Sequence, residues 1–361
     1  MSTYPGTESE TRVPFEILLT FCARVFAACG MKPDDARLLG ETLTRADLRG
    51  VHSHGVLRVP DYVKKLLNEG VDPRAEPSIV SDRIGALVVD GRNSMGQIAA
   101  TFGMRAALAR AQQSGVATAA VRGSNHCGAM AYYAMLALPE DMIGIAMTNA
   151  LPTMAPWGGV DKILGINPLG VAIPADREPP IVFDAAFSAS SHGKIRIYHQ
   201  KGFPIPTGWA FDAAGHPTTD AGAALEGLLQ PIGGYKGTGL AIIAGILSTL
   251  LAGASFGTEL GNMVDGPRPG ADGQFLMAIN VDAFTDLPTF KARIDMIVRQ
   301  VRTSRLAPGF DRVYAPGELE AETERAYRTE GIPLNQETLR GLAVVAQRVK
   351  ISPDVGWLPS S

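Results

Sequence analysis

The chain has 361 residues, of which 46% are hydrophobic, and its formal net charge is −3. This length and composition supply apolar side chains for a large core and predict two domains. No basic run or acidic tail occurs, so we expect neither nucleic acid nor an anionic membrane as a partner. The three cysteines, Cys22, Cys29 and Cys127, show no paired spacing. They argue against a disulfide framework and favour a reducing, cytoplasmic location.

Two stretches have to be distinguished from targeting or membrane segments. The N-terminal stretch MSTYPGTESETRVPFEILLTF contains acidic residues and lacks the basic start of a signal peptide. The apolar run from Leu240 to Ala254 is 15 residues long, whereas a membrane-spanning helix needs about 20. The sequence therefore predicts a buried core helix at this run and no membrane association.

The predicted elements follow the order helix, sheet, helix. Apolar spacing predicts one helix that ends near Gly30, a second from Pro33 to Gly50, and a third that starts or kinks at Pro60. Short apolar runs bounded by Gly, Pro, Asn or Asp then predict largely buried strands over residues 86–91, 115–121, 142–150, 170–175, 180–186 and 275–281. A helix lies between the first two strands, and three helical patterns follow Leu287. This order predicts an α/β or α+β fold in which helical ends flank a sheet-rich middle.

The stretch VHSHGVLRVPDY concentrates groups that bind an acid and transfer a proton. On a helix, His54, Arg58 and Tyr62 are four residues apart and share one face. Imidazole exchanges a proton near neutral pH, and a guanidinium matches the geometry of a carboxylate. The alternative is a surface helix after a turn, because Pro60 interrupts a continuous helix. His52 points away from this face and is predicted to be structural.

A second polar cluster, RGSNHCGAMAYYA, follows a predicted strand and precedes a helix. Ligands of α/β sheets bind at such strand ends, and the N–H groups of a helix N-terminus bind phosphate. His126 lies among small and amide residues instead of on an apolar face, which favours a functional role over a core role. The alternative is an ordinary polar turn. Cys127 fits no metal-ligand spacing and is predicted to be a small buried residue.

Other polar residues mark the ends of the predicted strands and the start of the apolar helix. The segment PIGGYKGTGLAII places four glycines and Lys236 before that helix, where backbone can approach a ligand closely. It is neither a Walker A loop nor a GxGxxG motif, and no GxGxxG occurs elsewhere in the chain. Asn149, Asn167, Asp184 and Lys194 each lie at a predicted strand end, where turn or cap roles are the alternative.

Together these stretches resemble the malate/L-lactate dehydrogenase-like oxidoreductase family, which is distinct from the Rossmann-fold lactate and malate dehydrogenases. The family also contains ureidoglycolate and sulfolactate dehydrogenases and piperideine-2-carboxylate reductases. The matching segments run in order over most of the chain: RADLRGVHSHGVLRVPDY, SNHCGAMAYY, TNA…MAPWGG, GINPLGVAIP, GKI, IPTGWAFDAAGHPTTD, GGYKGTGLA and PGELE.

The resemblance implies an architecture as well as an activity. It implies a non-Rossmann NAD(P)-binding sheet domain over residues 76–287, flanked by an α-helical domain built from both chain ends. Residues 1–75 would form a helical substrate and dimer region, and the C-terminal helices over residues 288–361 would pack back on it. The resemblance also implies a homodimer with the site near the subunit interface.

Carried over to matching positions, the resemblance implies three groups of site residues and no metal site. The catalytic residues are Ser53, His54 and His126, and the resemblance does not fix which histidine is the base. The substrate-binding residues are Arg49, Arg58, Tyr62 and Asp184, with Arg58 or Arg49 holding the carboxylate. The residues that bind the cofactor, NAD or NADP, are His126, Cys127, Gly128, Ala129, Met130, Asn149, Ile166, Asn167, His192, Gly193, Lys194, Gly234, Tyr235, Lys236, Gly237, Pro316, Gly317 and Glu318.

Two positions depart from the family pattern. Ile166 stands where the family often has Thr, which removes a hydroxyl from the cofactor site. Lys194 stands where the imine reductases have Asp, which in those enzymes assists the serine–histidine pair. A lysine only donates hydrogen bonds and stays positive. Lys194 therefore favours the hydroxy-acid branch of the family over the imine reductases.

The sequence thus predicts a cytoplasmic NAD(P)-dependent oxidoreductase. It would move hydride between C4 of nicotinamide and C2 of a small 2-hydroxy or 2-oxo acid, while the protein orients the reactants and handles the proton. Three alternatives remain open: a cyclic-imine 2-carboxylate reductase, a metal-dependent hydrolase that uses His54, His126 and Asp184, and a catalytically silent member. The sequence does not fix the substrate, NAD versus NADP, the stereochemistry or the direction.

Overall fold

A seven-stranded mixed sheet forms the centre of the computed structural model, which describes residues 9–262, 268–352 and 356–358. The first and last segments predicted from the sequence extend beyond these ranges, and those parts lie outside the described residues. The strands in chain order are β1 (Thr11–Val13), β2 (Ser78–Arg83), β3 (Ala86–Asp90), β4 (Val116–Ser124), β5 (Met142–Thr148), β6 (Pro152–Met154), β7 (Leu164–Gly165), β8 (Leu169–Ile173), β9 (Ile181–Ala185), β10 (Ala210–Phe211), β11 (Pro217–Thr218), β12 (Leu228–Leu229), β13 (Asp272–Asn280) and β14 (Ile332–Leu334).

Helices precede, interrupt and follow these strands. The α-helices in chain order are α1 (Phe15–Ala28), α2 (Pro33–Leu48), α3 (Val59–Leu67), α4 (Gly96–Ser114), α5 (Met130–Met135), α6 (His192–Gln200), α7 (Ala221–Glu226), α8 (Tyr235–Thr249), α9 (Leu287–Arg302), α10 (Glu318–Glu330) and α11 (Gln336–Arg348). The helices predicted in the first 70 residues, after the first predicted strand and beyond residue 287 all form.

The large sheet has the strand order β2-β3-β4-β13-β5-β8-β9. β3 and β4 are parallel and are connected through α4, whereas the other neighbours pair antiparallel. The six strands predicted from apolar runs all lie in this sheet. β2 was not predicted, because it lies at the edge and four of its six residues are exposed, so that it lacks an apolar run.

Two smaller sheets connect the remaining elements. A five-stranded sheet has the order β11-β10-β12-β6-β7, and its strands are only two or three residues long. β1 pairs with β14 antiparallel, which joins the start of the described chain to its C-terminal helices. These strands are too short to show a periodic pattern in the sequence.

A helical core unites the two ends of the chain. Phe26 and Leu43 from the first two helices share one buried cluster with Leu339 and Leu342 of α11. α9 instead packs against the far edge of the large sheet, where Ile294 belongs to a separate buried cluster with residues of β8 and β9. The mixed α/β fold with a helical part built from both chain ends is therefore confirmed.

α8 is less buried than the sequence predicts. Its small residues Ala241 and Ala244 are buried, but Leu240, Ile243 and Ile246 are 45%, 57% and 40% exposed. The helix packs on the large sheet through its small residues, so its large apolar residues face outward. The expected buried core helix is thus wrong for one face of α8. In the described part of the chain, no helix combines the length and hydropathy needed to cross a membrane.

Candidate active site

A cavity of about 320 Å³ lies between α3, the loop before α5, and α6. It brings together seven residues predicted from the sequence: His54, Arg58, Tyr62, His126, Ile166, His192 and Gly193. It is also lined by polar residues that the sequence analysis missed, among them Asp61, Lys65, Asn125, Arg196 and Asp272. The geometry of these side chains determines what the cavity can bind.

The SHG segment is held by a buried carboxylate instead of by a continuous helix. Two 3-10 turns, His52–His54 and Val56–Arg58, precede α3, so the single helix considered in the sequence analysis does not form. Asp47 is 1% exposed and accepts hydrogen bonds from the backbone N–H of Val56 and from Nδ1 of His52, both at 2.7 Å. His52 therefore has the structural contact expected of it, and the fold-back still directs His54, Arg58 and Tyr62 into the cavity.

The loop that carries His126 is positioned by the start of α4. A Cβ added to Gly96, the first residue of that helix, would lie 2.0 Å from the carbonyl oxygen of Asn125 and 2.6 Å from that of His126. Only glycine allows this approach of helix to loop. The Asn125 amide then holds the loop, since Nδ2 donates to the Ser94 carbonyl at 2.8 Å and Oδ1 accepts from Gly270 N–H at 2.8 Å.

Two imidazoles face each other in the cavity. The rings of His54 and His126 are parallel within 7°, with centroids 5.9 Å apart. Nδ1 of His54 lies 2.9 Å from Oγ of Ser53, and Nδ1 of His126 lies 2.6 Å from the hydroxyl of Tyr62. Each ring therefore has its Nδ1 engaged by a hydroxyl, which leaves Nε2 as the nitrogen available to a ligand.

Both imidazoles are neutral at pH 7. Burial, reinforced by the charge of Arg58, lowers the pKa of His54 to about 3. Burial, His54 and Arg58 together hold the pKa of His126 well below its usual value. A neutral imidazole can accept a proton, and a bound anion beside the guanidinium would offset the charge that keeps these pKa values low. An imidazole in this cavity can thus accept one proton when a carboxylate binds beside Arg58.

Arg58 is fixed by contacts on three sides. Its Nε donates to the Ser53 carbonyl at 2.9 Å, and its Nη1 lies 3.4 Å from Oδ2 of Asp61. Nη1 of Arg196 lies 3.8 Å from the same Asp61 oxygen. A Cβ on Gly193 would lie 2.8 Å from Nη2 of Arg58, so the start of α6 packs directly on the guanidinium. A guanidinium held this way binds a carboxylate with little loss of rotamer entropy.

Lys65 and Asp272 also line the cavity. Nζ of Lys65 donates to the carbonyl of Asn262 at 2.8 Å and to that of Arg268. Burial raises the pKa of Asp272 to about 7, although the nearby Lys65 counteracts part of this rise. Lys65 is three residues after Tyr62 on α3, so the helical spacing that identified Tyr62 would also have identified Lys65.

Arg49, Asp184 and Lys194 lie outside this cavity. Nη1 of Arg49 pairs with Glu324 at 3.2 Å, and Asp184 accepts the backbone N–H of Ala131 at 2.7 Å near the start of α5. Nζ of Lys194 lies over the ring of Trp209, 4.9 Å from its centroid. Burial also lowers the pKa of Lys194.

Asn149 and Asn167 use their amides to hold strand ends together. Asn149 donates to the Ser255 carbonyl at 3.2 Å and accepts from Gly273 N–H at 2.9 Å. Asn167 donates to the Ala241 carbonyl at 2.7 Å and accepts from the backbone N–H of Ala150 at 2.9 Å. Because Ala150 lines the cavity, Asn167 connects α8 to the cavity wall.

The other residues predicted to bind cofactor are distributed over three turns. Cys127, Gly128, Ala129 and Met130 follow His126 into α5, and Cys127 and Met130 are buried. Gly234, Tyr235, Lys236 and Gly237 form the start of α8, where the ring of Trp157 lies against Gly234.

The third turn, before α10, is fixed to the edge of the large sheet. The carbonyl of Pro316 accepts from Val182 N–H at 3.0 Å, and a Cβ on Gly317 would lie 2.6 Å from the Val182 carbonyl oxygen. The carboxylate of Glu318 pairs with Arg302 at 2.8 Å and Arg312 at 3.1 Å.

The described part of the chain offers no ligand set for the metal-dependent alternative. Over residues 9–262, 268–352 and 356–358, no group of three or more His, Cys, Asp or Glu side chains is arranged to hold a metal ion. Asp184, which that alternative combines with the two cavity histidines, is engaged by the backbone of α5.

Comparison with known proteins identifies the family. The model of the malate/L-lactate dehydrogenase family matches residues 13–343. The chain belongs to the malate/L-lactate dehydrogenase family. Dehydrogenases of this family depend on a nicotinamide cofactor. The resemblance seen in the sequence and the prediction of a hydride-transferring dehydrogenase of 2-hydroxy acids are confirmed.

Individual relatives agree with the family match over almost their whole length. A malate dehydrogenase of Pyrococcus abyssi is 35% identical over 95% of this chain and 96% of its own. A Δ1-pyrroline-2-carboxylate/Δ1-piperideine-2-carboxylate reductase of Pseudomonas putida is 31% identical over 94% of this chain and 98% of its own. The crystal structure of malate dehydrogenase from Entamoeba histolytica superposes with a TM-score of 0.91 at 33% identity, covering 95% of this chain and 99% of that one.

Proposed function

We propose that the cavity between α3 and α6 binds a small 2-oxo or 2-hydroxy acid with its carboxylate on Arg58 and its C2 oxygen beside His126. The observation that carries this proposal is the parallel pair of neutral imidazoles, 5.9 Å apart, in the same cavity as a fixed guanidinium. A carboxylate on Arg58 leaves the adjacent C2 oxygen within reach of the histidines. Of the two arginines predicted to hold the carboxylate, Arg58 lines the cavity, whereas Arg49 lies outside it and pairs with Glu324, which supports Arg58 in this role.

His126 is the group that we assign to proton transfer. In the oxidative direction its Nε2 accepts the proton of the C2 hydroxyl, and in the reductive direction it returns that proton to the C2 oxygen. The ring of His54 is parallel to that of His126, with centroids 5.9 Å apart, and we assign it a supporting role. Ser53 in turn contacts Nδ1 of His54 at 2.9 Å and holds that ring in place.

The residues present fit a nicotinamide group next to the acid. His192 lines the cavity, and its Nε2 is buried without a hydrogen-bond partner among the described residues. A carboxamide can satisfy that nitrogen, and the apolar side chain of Ile166 lines the same wall. His192, Gly193 and Ile166 would thus hold the cofactor, with the turns at residues 126–130, 234–237 and 316–318 binding its remainder. The cofactor, NAD or NADP, supplies or accepts the hydride at C2.

A hydroxy acid fits this site better than a cyclic imine. The imine reductases have an acid in place of Lys194 that assists the serine–histidine pair, and here the side chain lies over Trp209 instead. Residue 194 therefore supplies no carboxylate that could support Ser53 and His54. The cyclic-imine reductase remains the second candidate, because a relative with that name covers almost the whole chain.

We also propose that two copies of the chain form a cytoplasmic homodimer. The three cysteines are free and buried, in keeping with a reducing compartment. The exposed residues of α8, Leu240, Ile243 and Ile246, form an apolar surface that a second copy would cover. Ile243→Glu is expected to shift the molecular mass measured by light scattering from two chains toward one. An unchanged molecular mass would show that α8 does not form the interface between the two copies.

The proposal is tested by following reduced nicotinamide at 340 nm with a panel of acids. We expect oxidation of NADH or NADPH with pyruvate, oxaloacetate or related 2-oxo acids, and slower oxidation with cyclic imino acids. Matched acids without the oxo group, such as propionate and succinate, serve as controls and should give none. Failure of every 2-oxo and imino acid with both cofactors would contradict the proposed function.

A further inference from the structure

The hydroxyl of Tyr62 connects His126 to a buried amide on another helix. Gln97 lies in the first turn of α4 and is 0% exposed, and Tyr62 is 1% exposed. Nε2 of Gln97 lies 3.0 Å from the Tyr62 oxygen, which lies 2.6 Å from Nδ1 of His126. Oε1 of Gln97 is buried and has no hydrogen-bond partner in the described part of the chain. An unpaired polar atom in the protein interior lowers the stability of the fold, so the free end of this amide calls for an explanation.

In this arrangement the chain of hydrogen bonds has a defined direction. Of the two partners of the Tyr62 hydroxyl, Gln97 donates to its oxygen through Nε2, so Nδ1 of His126 is the partner that can accept the O–H. Nδ1 is then an acceptor, and the proton of the neutral imidazole is on Nε2. Such a His126 can donate a hydrogen bond to a ligand from Nε2, but it cannot accept a proton there.

Rotation of the Gln97 amide by about 180° reverses the direction of both hydrogen bonds. Oε1 then accepts the O–H of Tyr62, and the Tyr62 oxygen accepts an N–H from Nδ1 of His126. Oε1 of Gln97 gains a partner while Nε2 of Gln97 gives up its contact with Tyr62, and Nε2 of His126 has a free lone pair. The two ends of an amide have similar size, so the same buried space around Gln97 accommodates both orientations.

We propose that Gln97 is a positioning residue whose amide orientation, transmitted through Tyr62, decides whether Nε2 of His126 can exchange a proton with the substrate. This inference rests on the proposed function and deepens it. With the hydrogen bonds reversed, the O–H bond of the substrate hydroxyl breaks and an N–H bond forms at Nε2 of His126. Nδ1 of His126 keeps its own proton, which it donates in a hydrogen bond to the Tyr62 oxygen. The same chain returns the proton in the reductive direction. Between turnovers, the arrangement in which Gln97 donates to Tyr62 keeps His126 neutral with its proton on Nε2, so that the ring can orient a ligand but cannot accept a proton from it.

Substitutions at Gln97 separate this role from simple packing. Gln97→Met has a similar volume but offers no acceptor to Tyr62, so His126 stays in the Nε2–H form. We expect kcat to fall about 10- to 100-fold, within the range of general acid–base catalysis, with KM nearly unchanged because Gln97 does not line the cavity. Gln97→Glu keeps an oxygen acceptor and is expected to retain kcat within a few fold.

A matched control is available one turn along the same helix. Thr101 is 1% exposed, and its Oγ1 is also buried without a partner among the described residues. Thr101→Val changes a buried polar group on α4 without touching the Tyr62 hydroxyl, and is expected to leave kcat and KM unchanged. Loss of activity in Thr101→Val equal to that in Gln97→Met would assign both effects to packing.

The tautomer of His126 gives a readout that does not depend on turnover. Long-range nitrogen–proton NMR on the cofactor-free enzyme labelled with 15N-histidine reports which ring nitrogen carries the proton, and the chain has only six histidines. His126→Gln identifies the signal. We expect the Nε2–H form in the wild type and in Gln97→Met, and loss of the pure Nε2–H signal in Tyr62→Phe.

The outcomes of this experiment are distinct. A wild-type spectrum in Tyr62→Phe, an Nδ1–H form in Gln97→Met, or wild-type kcat in Gln97→Met would each overturn the proposal. If Gln97→Met does not fold, the tautomer of His126 in Tyr62→Phe and the kcat of Gln97→Glu still test the proposal. An enzyme that shows the expected tautomers but oxidises no reduced nicotinamide would refute the proposed function and leave the hydrogen-bond chain in place.

Discussion

The imidazole of His126 lies parallel to that of His54, with ring centroids 5.9 Å apart. Two cations at this separation in a buried site repel each other, and Arg58 already lowers the pKa of both histidines. At most one of the two rings is therefore in the cationic imidazolium form during turnover. In the proposed function, one ring transfers the proton and the other supports it, and substitutions at each ring distinguish the two roles.

Replacing each histidine with glutamine ranks their roles. His126→Gln is expected to lower kcat by about 10²–10⁴-fold, the usual contribution of a general acid or base. His54→Gln is expected to cost about 10-fold, the equivalent of one lost supporting contact. Steady-state rates of 2-oxo acid reduction measure both. A larger loss in His54→Gln than in His126→Gln would reverse the assignment.

Substitution of Arg58 tests the carboxylate site. Arg58→Gln removes the charge and is expected to raise KM for the 2-oxo acid roughly 10- to 100-fold, because a hydrogen-bonded ionic contact contributes about 1.5–3 kcal/mol. The control is Arg49→Gln, since Arg49 pairs with Glu324 outside the cavity, and its KM should stay near the wild-type value. Equal increases in both variants would argue against a specific carboxylate contact at Arg58.

The buried acid Asp272 predicts a pH dependence of stability. Its pKa is raised from 3.8 to about 7 in the folded chain, so between these values the folded state binds a proton that the unfolded state does not. Its contribution favours folding at low pH and is lost as the pH rises through 7. Relative to Asp272→Asn, the wild type should lose roughly 2–3 kcal/mol between pH 5 and pH 7, at about 1.4 kcal/mol per pH unit.

Urea unfolding of both proteins at the two pH values measures this difference. Groups other than Asp272 titrate equally in wild type and variant, so subtraction isolates the carboxyl. A stability difference that stays constant from pH 5 to pH 7 would mean that Lys65 keeps Asp272 ionised in the folded protein.

The contact between Gly96 and the His126 loop predicts a loss of activity from an added methyl group. In Gly96→Ala the new Cβ would meet the carbonyl oxygen of Asn125 at 2.0 Å, so the loop has to move and displace His126. We expect at least a 10-fold lower kcat, because small displacements of a catalytic group have large kinetic effects. Gly239→Ala is the control, since nothing lies within 4 Å of its added Cβ.

That control has an expected effect of its own. Gly239 lies inside α8, where alanine is preferred over glycine by about 1 kcal/mol. Gly239→Ala should therefore raise the thermal midpoint slightly and leave kcat unchanged. Unchanged kcat in Gly96→Ala, or a loss no larger than that in Gly239→Ala, would contradict a dependence of the His126 position on the contact with Gly96.

The sequence predicts the parts of the site in which polar residues interrupt an apolar pattern. The buried strands β3, β4, β5, β8, β9 and β13 follow from local hydrophobicity, which fixes them without distant contacts. His54, Arg58 and His126 stand out because imidazole and guanidinium groups cluster next to such elements. All three line one cavity, and the roles that the resemblance implies for them stay predictions.

Other parts of the site depend on contacts between distant segments and leave no local signal. Gln97 stands in an ordinary helix, and its role emerges only when α4 packs beside Tyr62, 35 positions earlier. Asp47 acts by folding the segment around Val56 back on itself. Asp272 reaches the cavity through its place at the start of β13. The outward face of α8 could not be predicted either, because hydrophobicity alone does not distinguish a buried helix face from an exposed one.

Transfer of deuterium tests the central claim most directly. Reduced nicotinamide cofactor carrying two deuterium atoms at C4 is incubated with the enzyme and the best 2-oxo acid in ordinary water, and the product is examined by NMR and mass spectrometry. We predict one deuterium at C2 of the 2-hydroxy acid, and no deuterium at C2 when unlabelled cofactor is used in D2O. A product with hydrogen from solvent at C2, or a cofactor that keeps both deuterium atoms while the 2-oxo acid is consumed, would contradict hydride transfer in this cavity.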